Sequence, residues 1–314
     1  KGPEKRLAKS HLNWTYDARE FFDGNDWTQR AEGQPFFAQV QFKEPHRAFV
    51  EAEKTYPHAP IPPYYPEHPV TTADWANYLA SIEVLDQKVG KLLDRLDEEG
   101  LADNTLVLFF TDNGPNSMRY VGPFRGMKAR VHEGGIHTMF YARWPDRLKA
   151  GTQSDRIAAH IDVFPTLLDA AGVKTSEGNP LDGTTVLPLL TGDAEEWEDR
   201  ALFIQSHRGN EPVEFHHFAM REQDWKLVRD TGFGSEAGDP SKPFELYHIS
   251  KDPGETEDLA EKMPEKVTEM KERYASWLAD VSSTRPNNYA PPRILIGVDS
   301  EIVSDLSIQD WRVS

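Results

Sequence analysis

The stretch from Thr105 to Gly135, TLVLFFTDNGPNSMRYVGPFRGMKARVHEGG, decides how the chain is read. Its opening, Thr105–Thr111, is a continuous apolar run of strand length. Such a run fits a strand buried on both faces, as in a helix-covered parallel sheet. The run stops at an adjacent acid and amide, Asp112 and Asn113, and a loop rich in glycine and arginine follows, carrying Lys128. In open α/β sheets, ligand sites gather at the carboxyl ends of strands. Asp112 and Asn113 offer one charged and one neutral hard oxygen there. That is half of a Ca²⁺ or Mg²⁺ site, without the imidazole or thiolate that favours zinc. Lys128 can present its ammonium as a point charge to a bound oxyanion.

Working outward, Phe36–Phe42 (FFAQVQF) alternates and reads as a strand. His46 follows its end, where an imidazole can donate to an anion's oxygen or protonate a leaving group. Each feature also has an ordinary reading. Asp-Asn-Gly commonly makes a turn, a loop lysine is commonly solvated, and a histidine after proline is commonly structural. Their combination and their order along the chain carry the weight.

The clearest helix is Thr72–Glu99. Trp75, Leu79, Ile82, Val89, Leu92 and Leu96 recur as one buried stripe requires. Thr71 or Thr72 is the expected cap and Gly100 the expected terminator. The proline-rich stretch Tyr56–Pro69 before it reads as an extended loop. A helix around Tyr16–Phe22 and a strand over Ile136–Trp144 are also expected. His160–Ala171 reads as a helix with Pro165 in its first turns and Gly172 just past its end. After about Gly192 the texture changes. Ala201–Gln205, Phe215–Arg221, Trp225–Arg229 and Phe244–Ile249 are short strand-like runs with no helix between them, which predicts an antiparallel sheet. Glu265–Leu278 is one amphipathic helix, and Ser282–Ser314 has little periodicity. Residues 1–194 are therefore expected to form part of an α/β domain, and residues 195–314 an antiparallel-sheet subdomain with a tail.

The chain has 314 residues and a formal charge of −17. An acidic surface repels polyanions, and no basic helix or aromatic stacking motif argues for nucleic-acid binding. No apolar stretch approaches the ~20 residues needed to span a bilayer. There are no cysteines, so disulfides, thiolate metal sites and cysteine nucleophiles are all excluded from these residues.

The segments PFFAQVQFKEPHRAF, LVLFFTDNGPN, GPFRGMKARVHEGGIHTMFYARWP, HIDVFPTLLDAAG, LDGTTVLPLLTG and FELYHISKDPGETEDLA, in this order, resemble the type I sulfatases, the arylsulfatases of the alkaline-phosphatase superfamily. The likeness covers most of Phe36 to Ala279. It implies an α/β fold: an alkaline-phosphatase-like mixed sheet flanked by helices, plus a smaller C-terminal antiparallel sheet with one helix. It implies that Asp112 and Asn113 complete a Ca²⁺ site, Ca²⁺ being preferred to Mg²⁺. Lys128 and His46 are implied as catalytic, sulfate-binding groups. At His46 the sequence departs from the family pattern, since Arg47 follows it and the later proline is absent. Asn113 stands where phosphatases and phosphodiesterases of the superfamily commonly carry a histidine suited to two zincs, which points to the sulfatase branch.

The family's nucleophile is a formylglycine made within Cys/Ser-x-Pro-x-Arg. The nearest run here, Ser241-Lys242-Pro243-Phe244-Glu245, ends in Glu and lies in the C-terminal part. No Asp-Asp pair occurs to supply further metal ligands. The nucleophile and its N-terminal half are thus expected outside this chain, which resembles the C-terminal two-thirds of a sulfatase and by itself is expected to be inactive. The resemblance implies a sulfuric ester hydrolase acting on a small-molecule or carbohydrate sulfate ester, in the periplasm or secreted. Two alternatives stand beside it: a phosphonate or phosphodiester hydrolase of the same superfamily, and a non-catalytic truncated binding module. The loops Tyr56–Pro69 and Asp230–Lys242, with His207 and Arg208, are candidates for lining the cleft. Asn13-Trp14-Thr15 is a formal glycosylation sequon.

Overall fold

A computed structural model of the protein describes residues 22–174, 180–194, 197–206, 212–234 and 238–283. The expected helix at Tyr16–Phe22 (except Phe22), Asn13, Trp14, His207, Arg208 and residues 284–314 of the tail lie outside the described residues. The chain divides into two compact units, Lys1–Gly100 and Leu101–Ser314. The antiparallel sheet expected as a separate subdomain from residue 195 shares its unit with the Lys128 loop. Among the described residues no helix is long and apolar enough to cross a membrane.

The first unit is dominated by α1, Pro69–Glu98. Its cap is His68, not Thr71 or Thr72. His68 has extended backbone geometry and its ring accepts from the Val70 N–H at 3.2 Å, while Pro69 supplies a preset φ at the first helical position. Gly100 terminates it at φ +68°, as the sequence predicts. Much of the expected apolar stripe is only half-buried, and polar tethers fix what packs on it. Ser81 Oγ accepts from Val50 N–H at 2.8 Å, Asn77 Oδ1 from Ala52 N–H at 2.9 Å, and Trp75 donates to the Ala59 carbonyl at 2.9 Å. Phe36–Phe42 is not a strand among the described residues. It belongs to neither sheet, and Phe37 is 71% exposed.

The second unit opens with β1, Val107–Phe110. Contrary to the expectation of a parallel strand buried on both faces, β1 pairs antiparallel with β2, Phe140–Arg143, and its side chains are half-buried or exposed. An apolar run alone does not distinguish these environments; the partner strand does. Between them lies α2, a single turn at Glu133–Ile136. After β2, a 3-10 turn at His160–Asp162 leads into α3, Val163–Ala170, and α4 follows at Leu187–Thr191.

The antiparallel sheet predicted from the short runs is present. It comprises β3 (Leu202–Gln205), β4 (Phe218–Arg221), β5 (Trp225–Arg229) and β6 (Glu245–His248), in sequence order. Side chains alternate between its faces. Phe218, Met220, Leu227 and Leu246 face α5, Pro264–Ser282, and pack with its Met270 and Tyr274. Ala219, Val228 and Tyr247 point the other way and pack with Val131, which comes from the Lys128 loop. The loop is therefore laid directly on the sheet's second face, and this positions the site.

Candidate functional site

The loop of residues 111–135 is shaped by main-chain bonds. At its entrance His160 Nε2 lies 2.8 Å from the Thr111 carbonyl, and its ring stands edge-on to Phe110. The Gly114 N–H donates to the Gly135 carbonyl at 2.9 Å, and the Lys128 N–H donates to the Pro115 carbonyl at 2.8 Å. The Gly134 N–H donates to the Arg125 carbonyl at 2.7 Å. Gly114 is required by close approach: a Cβ there would collide with the Gly134 carbonyl oxygen. The acid-amide turn and the lysine turn, far enough apart in sequence to be independent, are thus fastened together.

Within this frame Asp112 is exposed and Asn113 half-buried. Asn113 Nδ2 donates to the Gly114 carbonyl at 2.8 Å, which leaves Oδ1 as the group's acceptor. A carboxylate and an amide oxygen side by side fit two positions in the oxygen shell of a hard divalent cation. Among the described residues no cluster of three or more His, Asp or Glu side chains completes such a shell. Lys128 is half-buried, and among the described residues its ammonium makes no ion pair or hydrogen bond, whereas its neighbours Arg125 and Arg130 are both paired. An ammonium without a carboxylate partner is the group able to accept an anionic ligand. His46 belongs to the first unit, where it is exposed and its Nδ1 lies 2.5 Å from the Arg47 carbonyl.

Beneath the loop are two polar networks that the sequence reading missed. Lys226 on β5 is fully buried, with Nζ 2.9 Å from Glu133 Oε1 and 2.9 Å from Glu255 Oε1. Glu255 Oε2 also accepts from the Glu133 main-chain N–H at 2.7 Å. Burial pushes the Glu133 carboxyl up, but His137, Lys226 and Arg221 outweigh it and hold it down at about 2. Alongside, His217 Nδ1 and Arg130 lie 3.0 and 3.2 Å from Asp230 Oδ1, and His132 Nε2 lies 3.2 Å from Glu245 Oε2. Arg125 donates to Tyr247 at 2.6 Å and pairs with Glu245. Glu245 is held at about 2, by the His132 hydrogen bond foremost, against burial, with the Arg125 charge adding to it. Arg125, Arg130, Lys242, Asp230 and Glu245 line an open cavity of about 360 Å³. One sequence signal was available. In WKLVR the alternation puts Lys226 on the same inward face as Val228, which demands a buried counter-charge.

The family model described as Sulfatase matches residues 5–173, and that described as N-sulphoglucosamine sulphohydrolase, C-terminal, matches residues 126–282. The chain is 30% identical over 210 residues to the steryl-sulfatase of Homo sapiens, covering 58% of this chain and 36% of that one. It is 31% identical over 198 residues to the arylsulfatase A of Homo sapiens, covering 57% and 38%. Among solved structures it resembles Ps i-CgsB in complex with k-i-k-neocarrahexaose, with a TM-score of 0.55 and 24% identity, over 71% of this chain and 48% of that one. It also resembles the putative sulfatase yidJ from Bacteroides fragilis, with a TM-score of 0.54 and 19% identity, over 71% and 46%. The matches span 36% and 38% of the length of the two curated relatives. The fold is alkaline-phosphatase-like, with antiparallel sheets and helices. The chain belongs to the type I sulfatases of the alkaline-phosphatase superfamily.

Proposed function

We propose that the complete protein hydrolyses an organic sulfate ester, a small-molecule or carbohydrate sulfate, and that residues 112–128 supply the cation and anion groups of its site. The observation that carries this reading is the fastening of the Asp112–Asn113 turn to the Lys128 turn through the Pro115 and Gly135 carbonyls. Asp112 and Asn113 would hold a Ca²⁺ by their side-chain oxygens, and when bound it would supply positive charge to stabilise sulfate oxygens. Lys128 binds the sulfate through a charge-assisted contact, for which its uncommitted ammonium is suited. An imidazole such as that of His46, in the first unit, can donate to an anion's oxygen or protonate a departing alkoxide. The attacking oxygen belongs to a formylglycine outside these 314 residues, since none of them is a cysteine and no Ser-x-Pro-x-Arg occurs. A carbohydrate substrate is supported by the resemblance to a structure holding a neocarrahexaose.

The test is a comparison of nitrophenyl sulfate with nitrophenyl phosphate as substrates of the complete protein. The expected result is a higher kcat/KM for the sulfate. A preference for the phosphate would contradict the assignment.

A further inference from the structure

We infer that Lys226 is a positioning residue for the sulfate-binding loop, acting through the buried carboxylates of Glu133 and Glu255. This rests on the reading of Lys128 as the sulfate-binding group. Lys226 stands on the sheet face where Ala219, Val228 and Tyr247 pack with Val131, a place an apolar side chain would fill. An ammonium there is not explained by stability, because a buried ion pair is often no more stabilising than a well-packed apolar residue. What it adds is direction. Its ammonium reaches Glu133 and Glu255 at 2.9 Å each, and Glu255 in turn grips the Glu133 main-chain N–H at 2.7 Å. Arg221 at 3.8 Å and His137 at 3.4 Å also face Glu133 and balance the second carboxylate.

The consequence lies in what Glu133 begins. The two residues after it, Gly134 and Gly135, make the bonds that close the loop on both sides of Lys128. The Gly134 N–H holds Arg125, ahead of Lys128, and the Gly135 carbonyl holds Gly114, next to Asn113. The Lys128 N–H itself is held by Pro115. Glu133 is therefore one of the points at which the rigid sheet meets the loop, and through the Lys226 ammonium β5 bears on the height and register of the lysine turn. A second buried side chain on this face, His217, meets the loop at the Ala129 carbonyl, with Nε2 2.8 Å away.

A double-mutant cycle in the complete protein, assayed with nitrophenyl sulfate, tests the inference. Lys226→Met is expected to lower kcat/KM roughly 10- to 100-fold, the scale of a small displacement of a binding group, with KM rising and the protein still folded. On a Lys128→Met background the same substitution is expected to add almost nothing, since residues acting through one another are not additive. If Lys226→Met does not fold, Glu255→Gln replaces it in the same cycle, because it keeps an acceptor for the Glu133 N–H and removes one charge. A folded variant with wild-type kcat/KM, or losses that multiply in the double variant, would overturn the inference while leaving Lys128 as the sulfate-binding group. A harmless Lys128→Met would instead remove the sulfate-binding reading, and this inference with it.

Discussion

A single carboxyl, that of Glu133, shows how burial and charge compete in this loop. Its ordinary value of 4.5 falls to about 2, so its charged form is favoured in the folded state. Burial opposes this, and the His137 hydrogen bond and Lys226 ion pair overcome it. The stability this supplies is fully present above the unfolded value of 4.5 and is lost as pH falls toward 2. A shift of that size corresponds to an upper figure of about 3 kcal/mol. Thermal unfolding followed from pH 7 downward is therefore expected to show a steep fall in Tm within the window below pH 4.5. Glu133→Gln is expected to be less stable at neutral pH and to show a shallower fall. A variant with the same acid profile as the wild type would show that Glu133 does not carry this dependence. The carboxyl singled out from sequence was that of Asp112, at the end of an apolar run. Glu133 escaped notice because its counter-charges come from Lys226 and Arg221, which only the folded sheet brings near.

At the scale of elements, the legible parts were those whose periodicity is complete within one segment. The helix α1 shows its 3.6-residue stripe, and β3 to β6 and α5 follow one another with turn residues between. Met270 and Tyr274, within the segment read from sequence as an amphipathic helix, are fully buried against Phe218, Met220, Leu227 and Leu246. Met270→Ala is expected to cost about 2–5 kcal/mol, as a lowered urea midpoint with an unchanged slope. An effect below about 0.5 kcal/mol, the range typical of surface substitutions, would place α5 outside the core. What was not legible depended on partners. Thr105–Thr111 and Phe36–Phe42 both have strand composition, yet the first pairs antiparallel with β2 and the second pairs with nothing described. The α1 cap was missed because His68 is an uncommon capping residue, and Thr71 and Thr72 are common ones.

For the molecule as a whole, the sheet, the loop laid on its second face and the acid-amide turn form one continuous structure in the unit Leu101–Ser314. Asp112, Asn113 and Lys128 stood out in the sequence as candidates because their chemistry is concentrated in one short stretch at a strand end. The groups that support them were not, because they are spread from Glu133 to Glu255 and meet only in the fold. On the proposed function, this stretch holds the cation and the anion of a sulfatase site. Its most direct test is Asp112→Ala in the complete protein, with bound Ca²⁺ and nitrophenyl sulfate hydrolysis measured on the same sample. Asp112 is exposed, so the variant is expected to fold normally. It is expected to lose the cation and at least about 100-fold in kcat, the scale seen when a charge-stabilising group is removed from a reacting site. Near-normal hydrolysis by this variant would contradict the account.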